Sequence, residues 1–314
     1  MSDTISRPTK ISILGAGAVG ATLAYACLTR GSARDIALYD INRAKVEAEA
    51  LDIAQGQTFA HVSNVLGSDD PEVCRGSDIV IVTAGAKQKP GQSRLELAGA
   101  TIGIMEKMLP SILEVAPNAI YLMVSNPVDV VTYASMKITG LPRERMFGSG
   151  TVLDTSRYRL LIAQELGVAP RSIHGYIVGE HGDSEIALWS STNIGCVPVK
   201  EWGGITQQRC EEIAHDVMAS AYRIIEGKGA TNYAIGLSGA RIVEAILRDE
   251  RTILPVSSYI DGIAGINDVC LSMPTVVGRS GVGRLVVPAM TQNELDGLHA
   301  SAQSVRQVAA QFGY

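Results

Sequence analysis

Paired cysteine, unbroken apolar length and one-sided charge are all in short supply in this 314-residue chain. The five cysteines, Cys27, Cys74, Cys196, Cys210 and Cys270, are scattered without a CxxC pair. That excludes a dense disulfide framework and suits a reducing compartment. No apolar run approaches the roughly 18 residues of a membrane span, and the first ten residues hold no apolar stretch before a cleavage site. A cytoplasmic location and no membrane partner are expected. A formal net charge of −5 gives phosphate backbones little to bind, because such binding rests on Lys and Arg neutralising phosphates. No nucleic-acid partner is expected. The histidines, His61, His174, His181, His215 and His299, form no HxxxH or Cys/His cluster, so no metal site is expected either. Internal repeats, low-complexity tracts and a Pro/Ser-rich linker are also missing.

What is present is a chain with 46% hydrophobic and 19% charged residues, the composition of a packed globule long enough to divide into two lobes. In the first half, short apolar runs at 11–14, 36–39, 79–83 and 119–124 alternate with helical patterns at 18–29, 44–54 and 95–115. This is the rhythm of a parallel sheet with right-handed crossovers. After residue 148 the pattern becomes a helix at 153–166, a strand-rich stretch, an amphipathic segment at 206–226 and a helix at 235–248. β-branched runs at 253–260 and 275–287 and a closing helix at 292–311 follow. The expected fold class is α/β: an N-terminal doubly wound parallel sheet (Rossmann) over residues 1–148 and a C-terminal α+β substrate domain over 149–314. With no linker between them, the two should share a cleft.

Gly15-Ala16-Gly17-Ala18-Val19-Gly20 follows the first strand and opens a helix. In that context the glycines allow a tight turn and close backbone approach, and the helix N-terminus offers free N–H groups to a pyrophosphate. Alone the motif is equally a glycine-rich turn. Asp40, twenty residues beyond Gly20 at the end of the second strand, gives it force: its carboxylate can accept both ribose hydroxyls and would repel a 2'-phosphate. Arg43 just after it is a nearby cation, yet nothing replaces Asp40, so NAD is the expected cofactor.

Asp154 and Arg157 stand at i and i+3 and share a helix face. In Gly179-Glu180-His181-Gly182-Asp183 a histidine sits between glycines after an apolar strand, where the backbone can turn and expose the imidazole. A carboxylate that fixes the tautomer and stabilises the imidazolium makes such a histidine a better proton carrier, and Asp154 is the proposed partner. Read singly, His181 is equally a packed structural histidine and Arg157 an ordinary ion-pair partner.

Four segments, Ala84 through Arg94, Ser125-Asn126-Pro127-Val128-Asp129, Leu153-Asp154-Thr155-Ser156-Arg157 and Gly179-Glu180-His181-Gly182-Asp183, together resemble the lactate/malate dehydrogenase family. The likeness spans nearly the whole chain and is nearest to the lactate-forming, bacterial fructose 1,6-bisphosphate-activated type. It implies reversible hydride transfer between NADH and pyruvate or lactate, with His181 as acid/base, Asp154 orienting it and Arg157 clamping the substrate carboxylate through a bidentate fork. It also implies that Arg94 closes on the polarised carbonyl from a lid spanning 85–94 and that Asn126 bonds the carbonyl region. Thr231 and Ile235 would line the substrate and nicotinamide pocket, although Thr231 is equally a helix cap.

The family likeness places substrate choice at Gln88. A dicarboxylate needs a cation there, because an unpaired buried charge is costly; neutral Gln88, with small Ser220 and Ala221 on the facing helix, favours pyruvate over oxaloacetate despite Lys87 and Lys89 on either side. Arg159, about 200° round the helix from Arg157, and His174, seven residues before His181, match an allosteric pair. The resemblance assigns that pair to fructose 1,6-bisphosphate bound across subunits of a homotetramer. A non-catalytic NADH-binding sensor is the competing class, and the intact set of His181, Asp154, Arg157 and Arg94 speaks against it.

Overall fold

The computed structural model describes residues 8–86 and 94–314, with Arg94 described by its backbone alone. Strand β1 (Lys10–Leu14) sits inside a parallel sheet with β2 (Asp35–Tyr39) and β3 (Asn64–Ser68) on one side. On the other side lie β4 (Ile79–Val82), β5 (Ile120–Met123) and β6 (Met146–Gly148), giving the order 3-2-1-4-5-6. Every residue of β4 and β5 is buried, as a parallel sheet covered on both faces requires. The covering helices are α1 (Ala18–Arg30), α2 (Arg43–Gln55), α3 (Arg94–Val115) and α4 (Val128–Thr139). Chain order reverses between β1 and β4, so the crevice for a ligand opens at the carboxyl ends of those two strands.

The second half begins with α5 (Val152–Leu166) and continues through β7 (Ile173–His174), β8 (Ile177–Gly179), β9 (Glu185–Ala187), β10 (Asn193–Ile194) and β11 (Val197–Pro198). Then come α6 (Val199–Trp202), α7 (Gln207–Lys228), α8 (Tyr233–Leu247), β12 (Thr252–Ile260), β13 (Val269–Gly278), β14 (Gly281–Leu285) and α9 (Gln292–Ala310). Strand β12 pairs antiparallel with β6, Ser257 opposite Gly148, and carries the first sheet onward through β13, β8 and β9. Strands β7, β10 and β11 form a small separate sheet.

The core crosses the change of pattern at residue 148. Leu23, Cys27 and Leu28 of α1 pack with Ala240, Ile242 and Val243 of α8 in one cluster. Arg30, at the end of α1, forks onto Glu244 of α8 at 2.8 and 2.6 Å, and Glu244 is only 3% exposed. Such a pair holds register, because removing one partner would strand a buried charge.

Three elements depart from the pattern read along the chain. Helix α4, built from Val128-Asp129-Val130-Val131-Thr132-Tyr133-Ala134-Ser135 and onward, is buried at each of those eight positions, so it shows no polar stripe for helical periodicity to detect. Strand β3 buries only Val65 fully and gives almost no alternating signal. The run expected at 275–287 is the second half of a longer strand, β13, and its hairpin partner β14.

Candidate active site

At the nucleotide end the three glycines of the first turn do two different things. A Cβ on Gly20 would lie 1.9 Å from the Gly15 carbonyl oxygen, and one on Gly15, where φ is +100°, would lie 2.8 Å from the Ala84 nitrogen. These two permit close packing of strand and helix. A Cβ on Gly17, the N-cap of α1, would meet nothing within 4 Å; its missing side chain clears space for a ligand. Val19 is half-buried against the core behind the turn.

Asp40 stands at the carboxyl end of β2 and accepts the Ala16 N–H at 2.8 Å and the Asn42 N–H at 2.9 Å. The carboxylate is thereby fixed beside the glycine turn with lone pairs to spare for hydroxyl groups. Gly15, Gly17, Asp40, Thr83 and Gly85 line a cavity of about 510 Å³. Arg43, the cation that follows Asp40 in sequence, bonds Glu47 at 2.8 Å on the surface. The donor set fits NAD: a turn open to pyrophosphate and an anion where a 2'-phosphate would sit.

At the other end, α5 and the turn after β8 meet. The Nδ1 atom of His181 lies 2.5 Å from Asp154 Oδ2, and Arg157 Nη1 donates to Asp154 Oδ1 at 2.6 Å. Asp154 is 1% exposed. Burial alone would raise its carboxyl, but the charges of His181 and Arg157 hold it below the usual carboxylate range. For His181 burial works against the imidazolium; the charge and hydrogen bond of Asp154, backed by Asp129 and Glu185, override it and push the pKa up to about 9. Gly179, at φ +91°, and Gly182, at φ +139°, make the turn that brings the ring out.

Two further carboxyls belong to this cluster that sequence motifs do not mark as functional residues. Asp129, in the first turn of α4, accepts the backbone N–H of His181 at 2.7 Å and the Ser257 hydroxyl at 2.6 Å; burial pushes it up to about 6. Glu185 opens β9 opposite Gly179. Burial first, and then the charge of Asp154, push it up to about 8, and its buried Oε1 atom has no hydrogen-bond partner among the described residues. Asp154, His181 and Glu185 bring one oxygen or nitrogen each within 4.8 Å of one another. They therefore titrate as a single set.

A cavity of about 260 Å³ is lined by Asn126, Asp154, Arg157, His181 and Glu185 on one side, and by Met218, Ala221, Tyr222 and Ile225 of α7 on the other. It holds four of the expected site residues together. Ser220 turns its hydroxyl back to the Asp216 carbonyl within α7. Thr231, just before α8, and Ile235, in the first turn of α8 and packed on the N-terminal core, do not line this cavity. Gln88 and the Arg94 side chain lie outside the described residues. Arg159 faces away from the cavity: its Nε donates to the Gly175 carbonyl at 3.0 Å and its guanidinium lies over the Tyr176 ring. Exposed His174 precedes Gly175 directly.

Residues 9–148 match the model for lactate/malate dehydrogenase, NAD binding domain, and residues 151–312 the model for its alpha/beta C-terminal domain. The chain is 54% identical over 314 residues to an L-lactate dehydrogenase of Bifidobacterium animalis subsp. lactis, covering 98% of each chain. It is 48% identical to one of Synechococcus, covering 95% of this chain and 98% of that one. Among solved structures, a minor L-lactate dehydrogenase from Enterococcus mundtii in a ligands-bound form superposes with a TM-score of 0.94. There the identity is 39% and the coverage 96% of this chain and 98% of that one.

Proposed function

The chain belongs to the lactate/malate dehydrogenase family, and from that premise we propose that it is an NAD-dependent L-lactate dehydrogenase interconverting pyruvate and (S)-lactate. The observation that carries this reading is the convergence of the His181–Asp154 pair, Arg157 and Asn126 on one cavity whose facing wall is Met218, Ala221, Tyr222 and Ile225 of α7. NADH, held between the glycine turn and Asp40, supplies the hydride when bound.

Asp154 holds Nδ1 of His181, which leaves Nε2 to donate a proton to the substrate carbonyl oxygen. In the reverse direction the neutral ring takes the proton from the hydroxyl. Arg157 spends Nη1 on Asp154 and turns the rest of its fork to the substrate carboxylate, which a planar guanidinium engages in two parallel bonds. Asn126 bonds the carbonyl region, and Arg94, from the segment 85–94, adds positive charge at the polarised oxygen and excludes water. Thr231 and Ile235, outside this cavity lining, are assigned by the family likeness to the nicotinamide side of the closed pocket.

The substrate is pyruvate rather than oxaloacetate because a second carboxylate lacks a partner. Among the described residues, Arg157 is the one arginine or lysine in the cavity lining, and Gln88 is neutral. Burying an unpaired carboxylate costs several kcal/mol. Arg159 and His174 form the fructose 1,6-bisphosphate site of a cytoplasmic homotetramer, the sugar bisphosphate relieving repulsion between cations brought together at a subunit interface.

The test is NADH oxidation with pyruvate and with oxaloacetate, each with and without fructose 1,6-bisphosphate at low enzyme concentration. Pyruvate should lead in kcat/KM by about a hundred-fold or more, and the bisphosphate should lower its KM. An oxaloacetate preference would overturn the substrate assignment; an unmoved KM would remove the activator.

A further inference from the structure

His181 is held at two points that belong to different parts of the chain. Its ring bonds Asp154 of α5, while its backbone N–H bonds Asp129 of α4. Asp129 is 1% exposed, and both of its oxygens are engaged, one by His181 at 2.7 Å and the other by Ser257 of β12 at 2.6 Å. Its neighbours in the helix, Val128, Val130 and Val131, are buried and apolar. An apolar residue would fill this position without the cost of burying a carboxylate; what the carboxylate adds is two directed bonds across the seam where β6 of the first half meets β12 of the second.

The seam matters because of what stands just before α4. Asn126 lies three residues before Asp129 and lines the same cavity as His181. The turn bearing His181 contains two glycines at positive φ, and the bonds that tie it to the helices around it include the Glu180 N–H on Ser301 of α9 at 2.7 Å, the His181 N–H on Asp129 at 2.7 Å, and the Tyr222 hydroxyl of α7 on Asp183 at 2.9 Å. Of these, only the second ties the turn to the helix that follows Asn126.

We propose that Asp129 is a positioning residue, setting the distance between the proton donor His181 and the amide of Asn126 that meets the same substrate carbonyl. This rests on the roles given to His181 and Asn126 above. The charged groups that act on His181 are Asp154 from α5, Asp129 from α4 and Glu185 from β9; Arg157 of α5 bonds Asp154 behind it, and Glu180 and Asp183 stand in its own turn. Those that bear on Asp129 are His181 and Glu180, with the Cys270 thiol of β13 nearby. Asp129 therefore adds negative charge behind the imidazolium as well as a fixed bond.

The experiment compares the parent with Asp129→Ala and Asp129→Asn for kcat and KM with pyruvate, NADH affinity by fluorescence, and the pH profile of kcat/KM. Alanine removes both bonds, and kcat should fall about a hundred-fold while NADH affinity stays within about two-fold, the signature of lost orientation. Asparagine can accept from the His181 N–H and donate to Ser257, so it should restore kcat to within about five-fold of the parent. Its missing charge should move the alkaline fall of kcat/KM to lower pH by about 0.5. A folded Asp129→Ala enzyme with parental kcat would overturn the proposal. If that variant does not fold, an Asp129→Asn enzyme with parental kcat and an unmoved alkaline limb would do so instead. A parent inactive on pyruvate would instead sink the functional reading, which separates the two failures.

Discussion

The two ends of the crevice are built by opposite means. The nucleotide end is made of backbone and empty space: three glycines, a helix N-terminus and one carboxylate, all within residues 15–40. The proton-transfer end is made of buried charge, drawn from α4, α5, the turn after β8 and β9, and its groups matter only as a set. A site of backbone and space is local in sequence and tolerates little added volume. One of coupled side chains is dispersed in sequence and tolerates added volume better than a lost charge.

The largest expected effect breaks the second end and spares the first. His181→Asn removes the proton carrier while the glycine turn and Asp40 stay intact, so kcat for pyruvate reduction should drop about a thousand-fold or more with NADH affinity close to the parent's. Stopped-flow turnover beside fluorescence titration reads both. Comparable losses in both would mean that the ends are not separable.

This contrast also explains what was legible from residues alone. The glycine turn and Asp40 are a contiguous pattern whose meaning depends on a strand before and a helix after, and both are readable. The pairing of Asp154 with His181 could be argued from chemistry, because Asp154 and Arg157 share a helix face. Asp129 could not, although it stood inside a quoted motif. Its helix α4 is rich in β-branched residues and buried at eight successive positions, so nothing in the local pattern identified it as a helix, and only the tertiary fold brings it to His181. Glu185 reads as a polar residue of a short strand until β9 pairs with β8 and turns it toward Asp154.

A second pair of variants sharpens the nucleotide end from within. Gly20→Ala would place a Cβ 1.9 Å from the Gly15 carbonyl oxygen, and overpacking of this kind costs about 1–3 kcal/mol. Thermal unfolding should show the loss without any ligand. Gly17→Ala meets nothing within 4 Å and sits at φ −78°, so its Tm should equal the parent's. NADH affinity should fall about ten-fold, because the new methyl group occupies the space where the backbone meets a pyrophosphate. A Gly17→Ala enzyme with normal affinity would place the pyrophosphate elsewhere.

The smallest expected effect is graded with pH and belongs to the charged end alone. His181 is raised to about 9, so the imidazolium required for pyruvate reduction is present at neutral pH and is lost as pH rises through that value. Glu185, raised to about 8, ionises earlier and puts a negative charge beside the site of the substrate carboxylate. The kcat/KM for pyruvate should therefore be level near neutrality, begin to fall near pH 8 and steepen toward 9. Lactate oxidation, which requires the neutral ring, should climb over the same window. The same ionisation bears on stability: a histidine raised by its partner stabilises the fold fully below its unfolded value of about 6.5, and that contribution fades as pH rises through about 9. The cavity at the glycine turn and Asp40 shares no lining residue with the one that holds His181 and Glu185, so NADH affinity should hold steady from pH 6.5 to 9. If NADH affinity instead fell in parallel with the pyruvate profile, the two ends would share a titrating group, and the division between them would fail.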